Sequence, residues 1–141
     1  MLRMGSAPRE LIGAKITVSD LERSLDFYTR LVGLQPVSPA DAAAALKSDG
    51  AFAEIALNYS GARRDAAIVL MRRRGVTPNR EAAQLTWLML KTPDLSEAFV
   101  RIEAEGHEAL ARPTPYDGAV FALVADPDGY TVELLQVEDA A

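Results

Sequence analysis

The hydrophobic and polar positions of the chain form two copies of one pattern. In each copy an apolar stretch of strand length, residues 11–18 and 85–92, leads into an amphipathic helix. Asp20 and Asp94, each followed by a leucine, lie at equivalent positions 74 residues apart. Self-similarity over such a distance predicts a duplicated structural unit.

Both predicted helices carry start and stop signals. Ser19 with Glu22, and Asp94 with Glu97, fit a capping box, in which a side-chain oxygen accepts a hydrogen bond from an unpaired helical N–H. Glycines at the ends are typical of helix termination. The glycines are Gly33 and Gly106. The apolar residues that share one face of the helix are Leu21, Leu25, Tyr28 and Val32 in the first copy and Leu95, Ala98, Phe99 and Ile102 in the second.

Short strand-like runs follow each helix. The first copy also predicts an extra helix over residues 40–47, with Ser38 as its cap and Pro39 at its first position. The second copy contains a type I turn at residues 126–129. The predicted strands are residues 35–37, 52–59 and 66–72 in the first copy, and 108–111, 119–125 and 130–137 in the second.

These elements predict an α+β fold of two βαβββ modules that form a curled mixed sheet around a central cleft. We expect an N-terminal tail over residues 1–9 and one domain over residues 10–141, made of modules 10–75 and 84–137. About sixty residues bury too little surface to fold alone, so the two modules should pack together.

Composition narrows the class of protein. With 49% hydrophobic and 25% charged residues in 141, the chain fits a soluble globular domain. No run approaches the ~18 apolar residues of a membrane span, and the N-terminus lacks the apolar core of a secretory signal, so we expect a cytoplasmic protein that does not bind membranes.

Charge and cysteine content exclude further classes. A net charge of -5 argues against nucleic-acid binding, and the absence of cysteine excludes disulfides and thiolate chemistry. Arginines between residues 63 and 80 flank an apolar run, where we expect them to be solvated, although such a cluster could also bind anions. The acidic end, residues 138–141, is predicted to be a frayed tail.

Two motifs carry a family resemblance. VSDLERSLDFY at residues 18–28 and DPDGYTVEL at residues 126–134, placed in two βαβββ modules, resemble the vicinal oxygen chelate superfamily over residues 11–137. This superfamily includes glyoxalase I, bleomycin-resistance proteins and extradiol dioxygenases. The resemblance implies a cleft where the sheets face one another, often completed in a homodimer, and in the enzymes a divalent metal that acts as a Lewis acid.

The resemblance also implies four metal-ligand positions, on the first and last strands of each module. Matching them onto this chain gives Gly13, Leu70, Trp87 and Glu133. Only Glu133 offers a ligand atom, whereas a catalytic zinc uses about three protein ligands. We therefore expect no cofactor and consider a divalent metal unsupported. His107, the only histidine, is expected in a solvent-facing connection without a catalytic role.

Alternation along the strands predicts which side chains line the cleft. Side chains an even number of residues along a strand from one of the four metal-ligand positions should face the cleft, which also applies to Arg72 and Thr131. The residues between them should face the helices and form the core. Phe52 and Tyr116 could complete an aromatic wall. The predicted cleft residues are Lys15, Thr17, Leu70, Trp87, Met89, Lys91, Phe121, Glu133 and Leu135.

This mixture of an aromatic wall and few charges favours metal-independent binding of a planar or amphiphilic small molecule, as in bleomycin-resistance proteins. The alternative is a glyoxalase-like lyase or isomerase, or a dioxygenase-type enzyme, in which Glu133 is a general base or an unusual metal ligand. A scaffold with a vestigial cleft is a third hypothesis. Glu133 could also simply pair with a neighbouring lysine.

Overall fold

The structure is a computed structural model that describes residues 10–137. The predicted tail at residues 1–9 and the predicted acidic end at residues 138–141 lie outside the described residues. Two βαβββ modules follow one another along the chain, which confirms the predicted α+β fold. Each module has its own four-stranded sheet, and the two sheets do not close into a barrel.

The first module has strand order β1-β4-β3-β2, with β1 parallel to β4 and the other pairs antiparallel. The predicted extra helix is present, and Ser38 caps it by accepting a hydrogen bond from the Asp41 N–H at 3.2 Å. The elements are β1 Gly13–Thr17, α1 Leu21–Asp26 with a π-helical turn Phe27–Leu31, β2 Gln35–Pro36, α2 Pro39–Lys47, β3 Phe52–Asn58 and β4 Ala67–Arg73.

The second module repeats this topology with strand order β5-β8-β7-β6. A short helix that the sequence pattern did not predict, α3, connects the modules. Strand β6 is longer than predicted, because Pro113 and Pro115 are tolerated on an edge strand. The elements are α3 Arg80–Ala83, β5 Trp87–Lys91, α4 Leu95–Ala104, β6 Ala109–Tyr116, β7 Ala119–Ala125 and β8 Thr131–Val137.

The helix ends confirm all but one of the predicted signals. Asp94 accepts a hydrogen bond from the Glu97 N–H at 3.1 Å, and Gly33 and Gly106 follow their helices with φ of 97° and 89°. The prediction that Ser19 caps α1 was wrong by one residue. Asp20 is the cap, while the Ser19 hydroxyl donates to Asp128 Oδ1 at 2.5 Å.

Each sheet has a helix face, covered by the helices, and an open face on the other side. The helix faces form the core, with Ile16, Leu70, Val132 and Leu134 at most 4% exposed. Hydrophobic burial on this side is the main stabilising contribution to the fold.

The prediction that Leu70 lines the cleft was therefore wrong. Leu70 lies opposite Ile16 on the helix face and is 0% exposed. The residue on the open face is its neighbour Val69, which lies opposite Lys15 just as Glu133 lies opposite Met89. The error came from aligning the last strands one residue out of phase, which exchanges the two faces of a strand.

The same phase error misplaced Arg72. This residue lies opposite the buried Ala53, on the helix face. Its guanidinium donates to the carbonyl oxygens of Ser48 at 2.8 Å and Gly50 at 3.4 Å. Arg72 thus holds the segment before β3 and does not line the cleft.

A polar junction joins the two modules. The Tyr28 hydroxyl donates to Asp126 Oδ2 at 2.7 Å, and the Tyr130 hydroxyl donates to the carbonyl oxygen of Thr17 at 2.5 Å. Tyr28 and Asp126 are both nearly inaccessible to solvent. These bonds attach the β7–β8 turn of the second module to the π-helical turn after α1 and to β1 of the first.

Candidate ligand-binding site

The open face of the second sheet brings most of the predicted cleft residues together. Strand β5 lies parallel to β8, which sets Trp87 opposite Thr131 and Met89 opposite Glu133. Strand β7 lies on the other side of β8. The residues on this face are Trp87, Met89, Lys91, Phe121, Thr131, Glu133 and Leu135.

The open face of the first sheet carries the other predicted residues, Lys15 and Thr17. Lys15 Nζ lies 3.0 Å from Glu54 Oε1, in an exposed ion pair that spans the strand between them. Sequence reasoning missed Glu54, although its alternation with the core residues Ala53 and Ile55 along β3 could have indicated it. The predicted residues are thus divided between two open faces.

Large apolar side chains on the second open face are accessible to solvent. Trp87 is 54% exposed and Met89 is 66% exposed. At the far end of the same face, Tyr116 is 72% exposed and its ring meets that of Phe121 edge-on, with centroids 6.4 Å apart. Aromatic surface of this kind can stack against a planar ligand.

Glu133 lies among these apolar side chains and is partly buried. Within residues 10–137 its carboxylate makes no hydrogen bond and no ion pair. The expected alternative, pairing with a neighbouring lysine, does not describe Lys15, which pairs with Glu54. A carboxylate in this position favours an incoming hydrogen-bond donor or cation.

Two grooves lie beside the open faces. One, of about 400 Å³, lies between the edge strands β1 and β5 and brings Gly13 close to Trp87 and Met89. The other, of about 570 Å³, crosses the open face of the first sheet beside Glu54 and Val69. Glu133 lines neither of these two grooves.

Phe52 was predicted to join the aromatic wall, but it lies on the first sheet. It is 60% exposed, with the guanidinium of Arg73 5.7 Å above its ring. His107 also differs from its expected place, because it is half-buried with its ring 4.8 Å from that of Phe27.

The residues at the family's metal positions do not form a metal site within this chain. At Gly13 an added Cβ would overlap the carbonyl oxygen of Ala67, so the backbone there leaves no room for any side chain. Val69 and Trp87 offer no ligand atom. Within residues 10–137, no group of three or more His, Cys, Asp or Glu side chains is placed to hold a metal ion.

A family model describes residues 11–134: the Glyoxalase/Bleomycin resistance protein/Dioxygenase superfamily. The chain belongs to this superfamily. Among its relatives is the lactoylglutathione lyase of Escherichia coli O157:H7, which is 27% identical over 92% of this chain and 94% of its own length. The lactoylglutathione lyase GLX1 of Arabidopsis thaliana is 28% identical over 91% of this chain and 44% of its own length.

Solved structures of the superfamily share the fold. Trypanothione-dependent glyoxalase I of Leishmania major has a TM-score of 0.71 at 23% identity, covering 92% of this chain and 87% of its own. TnmS3, an antibiotic binding protein from Streptomyces sp. CB03234, has a TM-score of 0.67 at 23% identity, covering 94% of this chain and 98% of its own.

The lyase relatives contradict the expectation that no cofactor or metal takes part. Glyoxalase I enzymes depend on nickel or zinc, so metal independence does not follow from membership of this superfamily. No helix within residues 10–137 is long and apolar enough to cross a membrane. The cytoplasmic location stays a prediction.

Proposed function

We propose that the protein binds a small amphiphilic organic molecule on the open face of its second sheet. The observation that carries the proposal is one row of side chains on neighbouring strands, where Trp87 and Met89 expose more than half of their surface beside Glu133. A planar group would stack on the indole of Trp87. A basic or hydrogen-bond-donating group would meet the Glu133 carboxylate.

The fold is compatible with this role, because TnmS3 has it and is described as an antibiotic binding protein. Burial of an aromatic ligand against exposed apolar side chains would remove both surfaces from water. We expect the ligand to carry a polar group at one end, because the Glu133 carboxylate makes no hydrogen bond or ion pair within residues 10–137.

We also propose that a homodimer forms the binding unit. Leu11 and Leu85 precede β1 and β5 at equivalent positions and are 84% and 86% exposed, respectively. They form an apolar surface beside Trp87 that a second copy would cover while the indole stays open to the ligand. Sedimentation velocity should show a dimer that the double variant Leu11→Asp/Leu85→Asp converts to monomer; a monomeric parent protein would refute this part.

Binding can be tested with two flat probes that differ in charge, proflavine as a cation and acridone as a neutral molecule. Trp87 is the only tryptophan, so quenching of its fluorescence reports binding at this face directly. We expect proflavine to bind more tightly than acridone. Titrations run with and without added nickel or zinc would show whether a metal changes the affinity.

Variants assign the contributions of the two side chains. Trp87→Ala should weaken both probes about tenfold or more by calorimetry, since a base–aromatic stack of similar size contributes ~1–3 kcal/mol. Glu133→Gln should weaken proflavine and leave acridone unchanged. Phe52→Ala and Glu54→Gln are the matched controls on the first sheet, and equal losses from them would refute the assignment to the second.

A second candidate function is that of a lyase acting on the glutathione conjugate of a 1,2-dicarbonyl compound. The relatives named lactoylglutathione lyase, 27% identical over 92% of the chain, favour it. Glu133 is then the base that takes a proton from the conjugate. Formation of lactoylglutathione by protein supplied with nickel or zinc, abolished by Glu133→Gln, would establish this activity over simple binding.

A further inference from the structure

A small polar cavity of about 260 Å³ lies at the junction of the two modules, away from both open faces. It shares no lining residue with the two grooves described above. Three basic side chains line it. Arg23 comes from α1, Arg80 from the first position of α3, and His107 from the connection after α4.

Arg23 is held in place without using all of its hydrogen-bond donors. Its Nη2 donates to Ser19 Oγ at 2.9 Å and lies 3.7 Å from Asp128 Oδ1. The side chain is 53% exposed. A guanidinium has five N–H donors, so Arg23 can still donate to a ligand in the cavity.

Arg80 is positioned by packing. Its side chain crosses Gly129 so closely that a Cβ at residue 129 would lie 2.8 Å from Arg80 Cγ. Its Nη1 lies 3.5 Å from the carbonyl oxygen of Pro127, at the limit of a hydrogen bond. The guanidinium therefore stands beside the β7–β8 turn with most of its donors available.

His107 completes the group of donors. Its ring packs against Phe27, and this burial lowers the pKa of the imidazole below its usual range, with Glu105 acting against that shift and the charges of Arg23 and Arg30 adding to it. A neutral imidazole still donates one hydrogen bond.

Three carboxylates lie near these donors, and one of them, Asp128, forms an ion pair with Arg23 at 3.7 Å. Asp126 is turned inward, where it accepts hydrogen bonds from the Tyr28 hydroxyl and from the N–H groups of Asp128 and Tyr130. Asp128 accepts from the hydroxyl and the N–H of Ser19. Glu108 also lines the cavity and is exposed, and within residues 10–137 its carboxylate makes no hydrogen bond or ion pair. The cavity thus holds the guanidinium of Arg80, the imidazole of His107 and the guanidinium of Arg23, which is shared with Asp128, beside the carboxylate of Glu108.

We propose that this cavity binds a phosphate group, free or as an ester, between Arg23 and Arg80, with His107 as a third donor. Planar guanidinium groups match the oxygens of a phosphate in bidentate hydrogen bonds. The three residues come from three separate segments of the chain, so only the folded junction forms the site. A bound phosphate would bridge the first module, the connecting helix and the second module.

The test uses the fact that His107 is the only histidine. Its imidazole carbon–proton resonances are therefore assigned in a ¹H–¹³C spectrum of the whole protein without any variant. Inorganic phosphate and glycerol 3-phosphate would each be titrated at constant pH, with sodium chloride at equal ionic strength as the control. We expect a saturable shift of the His107 resonances that chloride does not produce.

Variants of the arginines decide the assignment. Arg80→Gln and Arg23→Gln should each weaken the binding about tenfold or more, because a charge-assisted hydrogen bond is lost. Arg64→Gln, on a side chain that is 88% exposed and distant from the cavity, should change nothing. Arg80 does not take part in the polar junction, so its variant remains informative if Arg23→Gln destabilises the fold.

A shift for the ester alone would identify an esterified phosphate as the ligand. A shift shared with chloride, or one that survives both arginine variants, would overturn the proposal.

Discussion

The two modules have the same helix face and different open faces. Their first and last strands pair in the same register, so Gly13, Lys15 and Val69 correspond to Trp87, Met89 and Glu133. None of the three pairs retains its chemistry, whereas the helix-face positions of the same strands, the buried Ile16 and the partly buried Leu90, both stay apolar. Packing restricts the helix face, while the open face, except at Gly13, is free to acquire ligand-binding side chains.

The modules also differ at their junction. Tyr28 and Ile102 are both 0% exposed and lie 74 residues apart, at equivalent positions of the two helices. Tyr28 reaches across the junction to Asp126, whereas Ile102 packs in the core without a polar contact. The side chain at this helix position therefore bonds to the other module in the first copy and not in the second.

The largest expected effect concerns this junction. Asp126→Ala removes the acceptor of three hydrogen bonds, from the Tyr28 hydroxyl and from two backbone N–H groups. The free energy of unfolding should fall by on the order of 3 kcal/mol, because buried donors are left unpaired. Urea unfolding measures it. Asp49→Ala, at an exposed site, should cost at most about 0.5 kcal/mol. Equal losses in the free energy of unfolding from Asp126→Ala and Asp49→Ala would mean that the hydrogen bonds to Asp126 do not stabilise the junction between the modules.

The next largest effect is a difference in stability between variants at the equivalent positions Gly13 and Trp87. Gly13→Ala should lower the free energy of unfolding by about 1–3 kcal/mol, because the new Cβ overlaps the carbonyl oxygen of Ala67 and the backbone must shift. Gly50→Ala is the control, since its Cβ would meet first the Ser48 hydroxyl, at 3.2 Å. Trp87→Ala, at a position 54% exposed, should change stability less than Gly13→Ala. Thermal unfolding of the three variants would show whether the two positions differ in this way.

A smaller effect is the pH dependence of the junction. Burial raises the pKa of Asp126 above its ordinary value of 3.8, although hydrogen bonds from Tyr28 and the turn act against this shift. The folded state therefore holds this proton more tightly than the unfolded state. The stabilisation that comes from the protonated Asp126 carboxyl is greatest below pH 3.8 and is lost as the pH rises through the raised pKa.

Asp126→Asn removes this titration. The free energy of unfolding of the parent protein, relative to that of Asp126→Asn, should decrease as the pH rises from acid to neutral. Urea unfolding at a series of pH values measures the difference. A difference that increases with pH would show that hydrogen bonding to the carboxylate, and not its burial, dominates at this site.

The smallest effect concerns the first open face. Lys15→Met introduces the residue found at the equivalent position of the second module, Met89, and breaks the ion pair between Lys15 and Glu54. The two side chains of this ion pair are 50% and 41% exposed, respectively. Exposed ion pairs contribute little, so the stability should change by less than about 1 kcal/mol. Glu54→Gln should give a similar result by urea unfolding. A larger loss in either variant would mean that the open face, like the helix face, is restricted by the fold.

The sequence by itself determined the duplicated βαβββ pattern, the helix ends at Gly33 and Gly106, and the turn that contains Asp126. These features depend on local signals: hydrophobic periodicity, capping residues and turn residues. Within the candidate site, alternation along β5 and β8 correctly placed Trp87, Met89 and Glu133 on one face, because both strands keep a strict period of two.

Only the tertiary structure decided the rest. Leu70 and Val69 could not be assigned to faces from sequence, because β4 is apolar on both sides and its phase depends on pairing with β1. The bond between Tyr28 and Asp126, and the cavity between Arg23, Arg80 and His107, join residues far apart in the chain. Such contacts depend on how the modules pack, and a local pattern carries no information about that packing.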